Sequence, residues 1–170
     1  MAGSKSKLMA IHEAHRRGDL EALKVALGNP ADFPNSRPPL GAGDHCLEYA
    51  IYHGPLPFIR SLLELGADPT YRSSGFPSLI AGLSTDRADR AEILALLLTF
   101  GADVGQRGVN DQTPLHYAVA RNDLQAIELL LAHGADPQAR TRIDDYTTPL
   151  EDALRLGRVE ASRLLQRATS

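Results

Sequence analysis

The sequence predicts an all-α solenoid: antiparallel helix pairs stacked side by side, joined by turn-rich finger loops. Three observations predict it. The tripeptide Gly-Ala-Asp recurs at Gly66, Gly101 and Gly134, spaced 35 and 33 residues apart. The helix start Thr-Pro-Leu recurs at Thr113 and Thr148, in phase with those stops. Each half of the hairpin between a start and a stop falls below the roughly 12 residues at which an isolated helix becomes even marginal in water. Such hairpins need a neighbour, and the repetition supplies one.

A single register runs through the copies. From Leu115, steps of three, seven, nine, twelve and fifteen reach Ala118, Asn122, Leu124, Ile127 and Leu130. The same steps from Leu47 reach Ala50, Gly54, Leu56, Ile59 and Leu62. From Leu150 they reach Ala153, Gly157, Val159, Ser162 and Leu165, and from Ile11 they reach Ala14, Gly18, Leu20, Leu23 and Ala26. The window anchored at Leu79 has Gly82 in the alanine slot and three extra residues around "STDRADR", read as a lengthened turn or an extra helical half-turn. The anchors Ile11, Leu47, Leu79, Leu115 and Leu150 lie 36, 32, 36 and 35 residues apart.

Within one copy each residue type has a physical reason. Proline in the first helical turn costs no hydrogen bond, and the preceding threonine hydroxyl can cap that end. Alanine on the inner face lets neighbouring helices approach closely. Gly18, Gly54, Asn122 and Gly157 are expected at positive φ between the two helices, and Gly66, Gly101 and Gly134 at the second helix's C-terminal cap. Gly43 and Gly75 each lie four residues before an anchor, in the finger. A lone pair exposes apolar surface on both sides, and stacking buries it. The expected organisation is one domain over 1–170, with units at about 5–36, 41–72, 73–107, 108–140 and 141–170. The first and last are expected as caps. Arg16, Arg17, Glu21 and Lys24 polarise the first; Arg155, Arg158, Arg163 and Arg167 solubilise the last. The Pro-rich stretch 28–43 is expected as an extended loop or a wrap over the apolar end.

"DQTPLHYAVARNDLQAIELLLAHGADPQAR" resembles the ankyrin repeat family, whose hallmark is carried by Thr113, Pro114, Leu115 and His116. "TTPLEDALRLGRVEASRLL" keeps Thr148, Pro149 and Leu150 but has Glu151 in place of the histidine. His45-Cys46-Leu47 and Pro77-Ser78-Leu79 are degenerate starts. The resemblance covers roughly residues 8–166. It implies an ankyrin-type fold with a concave face that binds another protein, and a structural role for His116, whose ring bonds neighbouring fingers.

Composition narrows the function classes. The chain is 43% hydrophobic and 23% charged, the balance of a globular protein. A formal charge of −3 offers no electrostatic case for nucleic acid or an acidic membrane. The lone Cys46 excludes an internal disulfide, and no apolar run is long enough for a signal peptide or a span. A cytoplasmic protein is expected. His12 and His15 in "HEAH" are spaced three apart, one short of a metalloprotease helix, so no metal site is assigned. Asp44, His45, Cys46 and Glu48 could form a thiol or hydrolytic site, but in register His45 and Cys46 begin an inner helix. "SKSK" at 4–7 matches Ser-x-x-Lys in a tail expected to fray. No catalytic residue and no cofactor is assigned.

What remains is a surface. By register, and by what the resemblance implies, partner-facing residues are the inner-helix ends Arg16/Arg17, Tyr52/His53, Ser84/Thr85, Ala120/Arg121 and Arg155/Leu156. Finger candidates are Asp44, Ser73, Ser74, Phe76, Asn110, Gln112, Asp144 and Asp145. Tyr49 and Tyr117 either line the groove or fill space between inner helices. The selected set is Tyr49, Tyr52, His53, Phe76, Tyr117, Arg121, Asp144 and Asp145, since Tyr and Arg dominate interface hot spots. The expectation is a monomeric, non-enzymatic module that docks another protein as adaptor or inhibitor, with a self-association unit as the structural alternative.

Overall fold

The computed structural model describes residues 2–37, 45–71, 76–108, 110–143 and 146–169. Gly43, Asp44, Ser73, Ser74, Gly75, Asp144 and Asp145 lie outside them. The described residues form ten helices and no strand, an all-α ankyrin-type arrangement of helix pairs. The chain divides into two compact units, Met1–Ser74 and Gly75–Ser170.

The first unit holds two pairs: α1 (Ala2–Arg17) with α2 (Leu20–Leu27), and α3 (Cys46–His53) with α4 (Leu56–Glu64). Helix α1 packs on both α2 and α3. Ile11, Leu23, Leu47, Ile51, Ile59 and Leu62 are buried in this core. Helix α1 is sixteen residues long and includes "SKSK", so the expected frayed tail is helical backbone here. Leu8 is half-buried one turn before Ile11, and Lys, Leu and Met are good helix formers. From the Pro-rich stretch, Asn35 reaches across to the finger of the next pair: its side-chain amide donates to Gly66 O at 3.0 Å, and its Oδ1 accepts from Asp68 N at 2.7 Å.

The second unit holds three pairs: α5 (Ser78–Ser84) with α6 (Arg90–Thr99), α7 (Pro114–Ala120) with α8 (Leu124–Ala132), and α9 (Pro149–Arg155) with α10 (Val159–Ala168). Helix α7 packs against α5 on one side and α9 on the other, while α8 packs against α6 and α10. The central hairpin therefore leans on its own copies. Leu79, Leu83, Leu94, Leu97, Leu115, Val119, Ile127, Leu130 and Leu165 are buried there.

The recurring tripeptide has one structure in all three places. Gly66, Gly101 and Gly134 are left-handed, with φ of 93°, 89° and 86°. The alanine N–H that follows returns to the helix, from Ala67 to Leu62 O, Ala102 to Leu97 O and Ala135 to Leu130 O, at 2.9–3.0 Å. The aspartate carboxylate then accepts the backbone N–H two residues on: Asp68 from Thr70, Asp103 from Gly105 and Asp136 from Gln138, at 2.7–2.8 Å. Each residue of Gly-Ala-Asp closes one bond of the same turn.

The turns between helices follow the register with one exception. Gly18, Asn122 and Gly157 take φ of 72°, 54° and 65°. In the same three turns Asp19 N, Asp123 N and Arg158 N donate to the carbonyls of Ala14, Ala118 and Ala153 at 2.8–2.9 Å. Gly54 instead has φ −89° and ψ 154°, contrary to expectation. Pro55 follows it, and a proline drives the residue before it into extended backbone. Glycine is kept there by space: an added Cβ would lie 3.0 Å from Phe58 Cδ1 and 3.1 Å from Ala50 O. Gly82 has the same kind of reason, since a Cβ would meet Leu94 Cδ2 at 3.1 Å. The insertion between α5 and α6 is a lengthened turn, tied by the Arg87 guanidinium to both oxygens of Asp89 at 2.6–2.8 Å. Arg90 then reaches Asp123 on the next pair at 2.7 Å.

Candidate protein-binding surface

Cys46, His45 and His15, which invited chemistry, are packed into the frame. Cys46 opens α3 fully buried, and its thiol donates to Ser36 O at 3.3 Å. Burial pushes that thiol up to about 11, so the nucleophilic thiolate is disfavoured at neutral pH. His45 stacks on Tyr71, ring centroids 4.6 Å apart. His15 is buried, its Nδ1–H donating to Ile11 O at 2.8 Å, and desolvation lowers its pKa. Among the described residues no group of three His, Cys, Asp or Glu is placed to hold a metal.

His116 sits where the hallmark histidine was expected to bond neighbouring fingers. Its Nδ1 accepts Thr113 N at 3.2 Å and lies 2.8 Å from the Thr113 hydroxyl, so Nε2 carries the proton and donates to Thr147 O of the next finger at 3.1 Å. Burial lowers its pKa, which favours this neutral form. In α9 the residue in that slot is Glu151, and it makes the first of these bonds by other means: its Oε2 accepts Thr148 N at 2.8 Å, while Thr148 Oγ1 accepts Glu151 N at 3.2 Å. Glu151 also takes a bidentate pair from Arg140, both contacts 2.9 Å.

Of the selected surface residues, Tyr49, Tyr52 and His53 come together at the exposed end of α3. Tyr49 is half-buried, with ring centroids 4.8 Å from His15 and 4.4 Å from His53. Its hydroxyl is hydrogen-bonded to His12 Nδ1 at 2.7 Å. Tyr49 thus fills the seam between inner helices and also shows one edge to solvent. Tyr52 is half-buried and His53 exposed. Tyr117 on α7 is half-buried, and burial raises its pKa. Arg121 follows α7, and its guanidinium bonds the Asp86 carboxylate and the Thr85 carbonyl, an intramolecular engagement that the register did not foresee. Phe76 is 39% exposed ahead of α5. Arg158, expected on the solubilising outer face, is half-buried and donates to Ala120 O at 3.2 Å, tying α10's start to the preceding pair.

The sequence reading missed the finger's ionic knot. Asp111 is buried, with Arg142 Nη2 at 2.7 Å, Arg142 N at 2.6 Å and Arg107 Nη1 at 2.9 Å. The Arg142 guanidinium holds that carboxyl near 2. Asp111 has φ 57°, and Tyr146, one repeat later, has φ 52°. Both lie four residues before their anchors, the phase of Gly43 and Gly75, so that phase was the available signal for a left-handed position.

The family model for ankyrin repeats, three copies, matches residues 84–169. The ankyrin repeat and KH domain-containing protein mask-1 of Caenorhabditis elegans is 28% identical over 94% of this chain and 6% of its own length. Fowlpox virus FPV014, described as an ankyrin repeat protein, is 30% identical over 92% of this chain and 35% of its own length. Palmitoyltransferase Hip14 of Drosophila melanogaster is 34% identical over 54% of this chain and 14% of its own length. The chain spans about a third of these relatives' length or less. With the repeated turn, the structural His116 and the matched model in agreement, this chain belongs to the ankyrin repeat family.

Proposed function

We propose that the chain is a non-enzymatic module that binds another protein and acts by occupancy, as an adaptor or an inhibitor, in the cytoplasm and as a monomer without a cofactor. Ankyrin repeats are protein–protein interaction modules. The observation that carries the reading is a division of labour among side chains. Cys46, His15, His116 and Asp111 are buried and spent on the frame, whereas Tyr52 and His53 in the first unit and Tyr117 and Arg121 in the second keep solvent-facing surface, His53 and Arg121 at the same register position. The Arg121–Asp86 pair does not withdraw Arg121 from binding. Asp86 is 91% exposed, and such a pair is worth at most about 1 kcal/mol, so a partner carboxylate can replace it.

The test is affinity capture from the native host with the full chain and with a Tyr52/His53/Tyr117/Arg121 alanine variant. This reading expects a specific protein on the parent and its loss on a variant of unchanged helicity. Equal capture by both would remove these residues from the interface. Sedimentation at several concentrations should return a monomer; a concentration-dependent dimer would move the reading to self-association.

A further inference from the structure

Helix α1 runs sixteen residues, whereas the inner helices α3, α5, α7 and α9 run seven or eight. The register needs α1 only from about Ile11 onward, so its first two turns are additional to the repeat. With the turn that follows, they line a groove. Lys5, Leu8, Met9, His12 and Glu13, spaced along one helical face, form with Tyr49 of α3 a groove of about 670 Å³. Its floor is apolar, and Met9 is 65% exposed in it. Lys5 lines one end; Arg16 lies on the same helical face one turn beyond His12 and Glu13, which line the other. The carboxylate in the groove, Glu13, is held by Arg16 at 3.0 Å and by Arg17 at 2.5 Å. Helix α1 carries four cations against that one carboxylate, on a chain whose formal charge is −3.

We infer that this groove docks an acidic peptide segment, with an apolar side chain on Leu8, Met9 and Tyr49 and carboxylates on Lys5 and on Arg16. The inference rests on the protein-binding reading above and names a site and a partner chemistry for it. Eleven residues of helix separate the two cationic ends, about 16 Å, so the fitting segment carries two acidic groups that far apart around a Leu- or Phe-type anchor. Nucleic acid fits less well, because phosphate binding needs a run of cations and this groove has Leu8, Met9 and the Glu13 carboxylate between its cationic ends. A membrane fits less well too, since the other face of α1 is spent on α2 and α3 rather than free to enter a bilayer.

The test is selection from a phage-displayed library of random peptides of about 12 residues, long enough to span the groove as helix, against the full chain. The most enriched peptide is then measured by fluorescence anisotropy. Enrichment of Asp or Glu on both sides of a large apolar residue is expected. Lys5→Glu should weaken that peptide about fivefold and Met9→Asp about tenfold, whereas Lys7→Glu, off the groove face, should change it less than about twofold. Circular dichroism should be the same for all four proteins. No enrichment, enrichment without acidic residues, or equal loss with Lys7→Glu overturns the inference. So does tighter binding of a single-stranded oligonucleotide or of phosphatidylserine vesicles than of the peptide. The capture experiment above alters none of Lys5, Met9 or Lys7, so either result can fail without the other.

Discussion

Leu83 and Leu154 occupy the same register position, four residues after their anchors Leu79 and Leu150. Leu83 is 0% exposed, with α7 packed beside its helix, and Leu154 is 58% exposed. The same substitution at both sites therefore isolates what a following helix pair contributes. Leu83→Ala loses a fully buried side chain and leaves a cavity in a packed seam, a cost of about 3 kcal/mol within the usual range for buried leucines. Leu154→Ala loses less than half of that transfer free energy and leaves no enclosed void, so about 1 kcal/mol or less. With a urea slope of roughly 2 kcal/mol per molar, the midpoints should fall by about 1.5 M and by less than about 0.5 M. The assay is urea unfolding followed by far-ultraviolet circular dichroism, with the slope unchanged in both variants. Equal losses, or a larger loss at Leu154, would refute the claim that the register position is buried by the next copy.

Tyr146 holds φ 52° at 62% exposure, a conformation that disfavours a tyrosine and gains little from its ring. Tyr146→Gly should raise stability by about 0.5–1 kcal/mol, and a lowered urea midpoint would contradict the strain argument. Mild acid should destabilise the fold through its buried histidines. His15 and His116 both have folded pKa values below the ordinary 6.5 because burial disfavours the charged ring, so the unfolded chain binds protons that the folded chain does not. Stability is then full above about pH 6.5 and declines as pH falls toward the folded values. Glu13 and Asp111, held near 2, stay ionised throughout that window. Urea midpoints should be lower at about pH 5.5 than at about pH 7.5, and a flat or rising profile would contradict the assignment.

The frame was legible because its signals are local. Gly-Ala-Asp closes its turn within a few residues through a left-handed glycine and a carboxylate two residues from its N–H partner, so the tripeptide carries its own geometry. Gly54 was misread because the register marked it as a turn glycine while Pro55, the next residue, decided its backbone. The site was less legible. Tyr49 meets His12 and His15 across more than thirty residues, and Asp111 meets Arg142 across 31, pairings that no local pattern encodes. Arg121 was assigned by register alone, which places a side chain on a face but does not say that Asp86, in the inserted turn, will engage it. Glu151 shows the converse: a departure from the hallmark that keeps the Thr148 N–H bond through a carboxylate instead of an imidazole.

Stacked pairs are locked in phase and absorb side chains such as His116 into that lock. The direct measurement is the tautomer and exchange of the His116 ring, read from long-range proton–nitrogen correlation spectra at neutral pH. A neutral ring with its proton on Nε2, slow to exchange with water and broadened or lost when Thr147 is moved by a neighbouring substitution, is the predicted result. A ring protonated on Nδ1, or one that titrates and exchanges as freely as a solvent-exposed histidine, would contradict it.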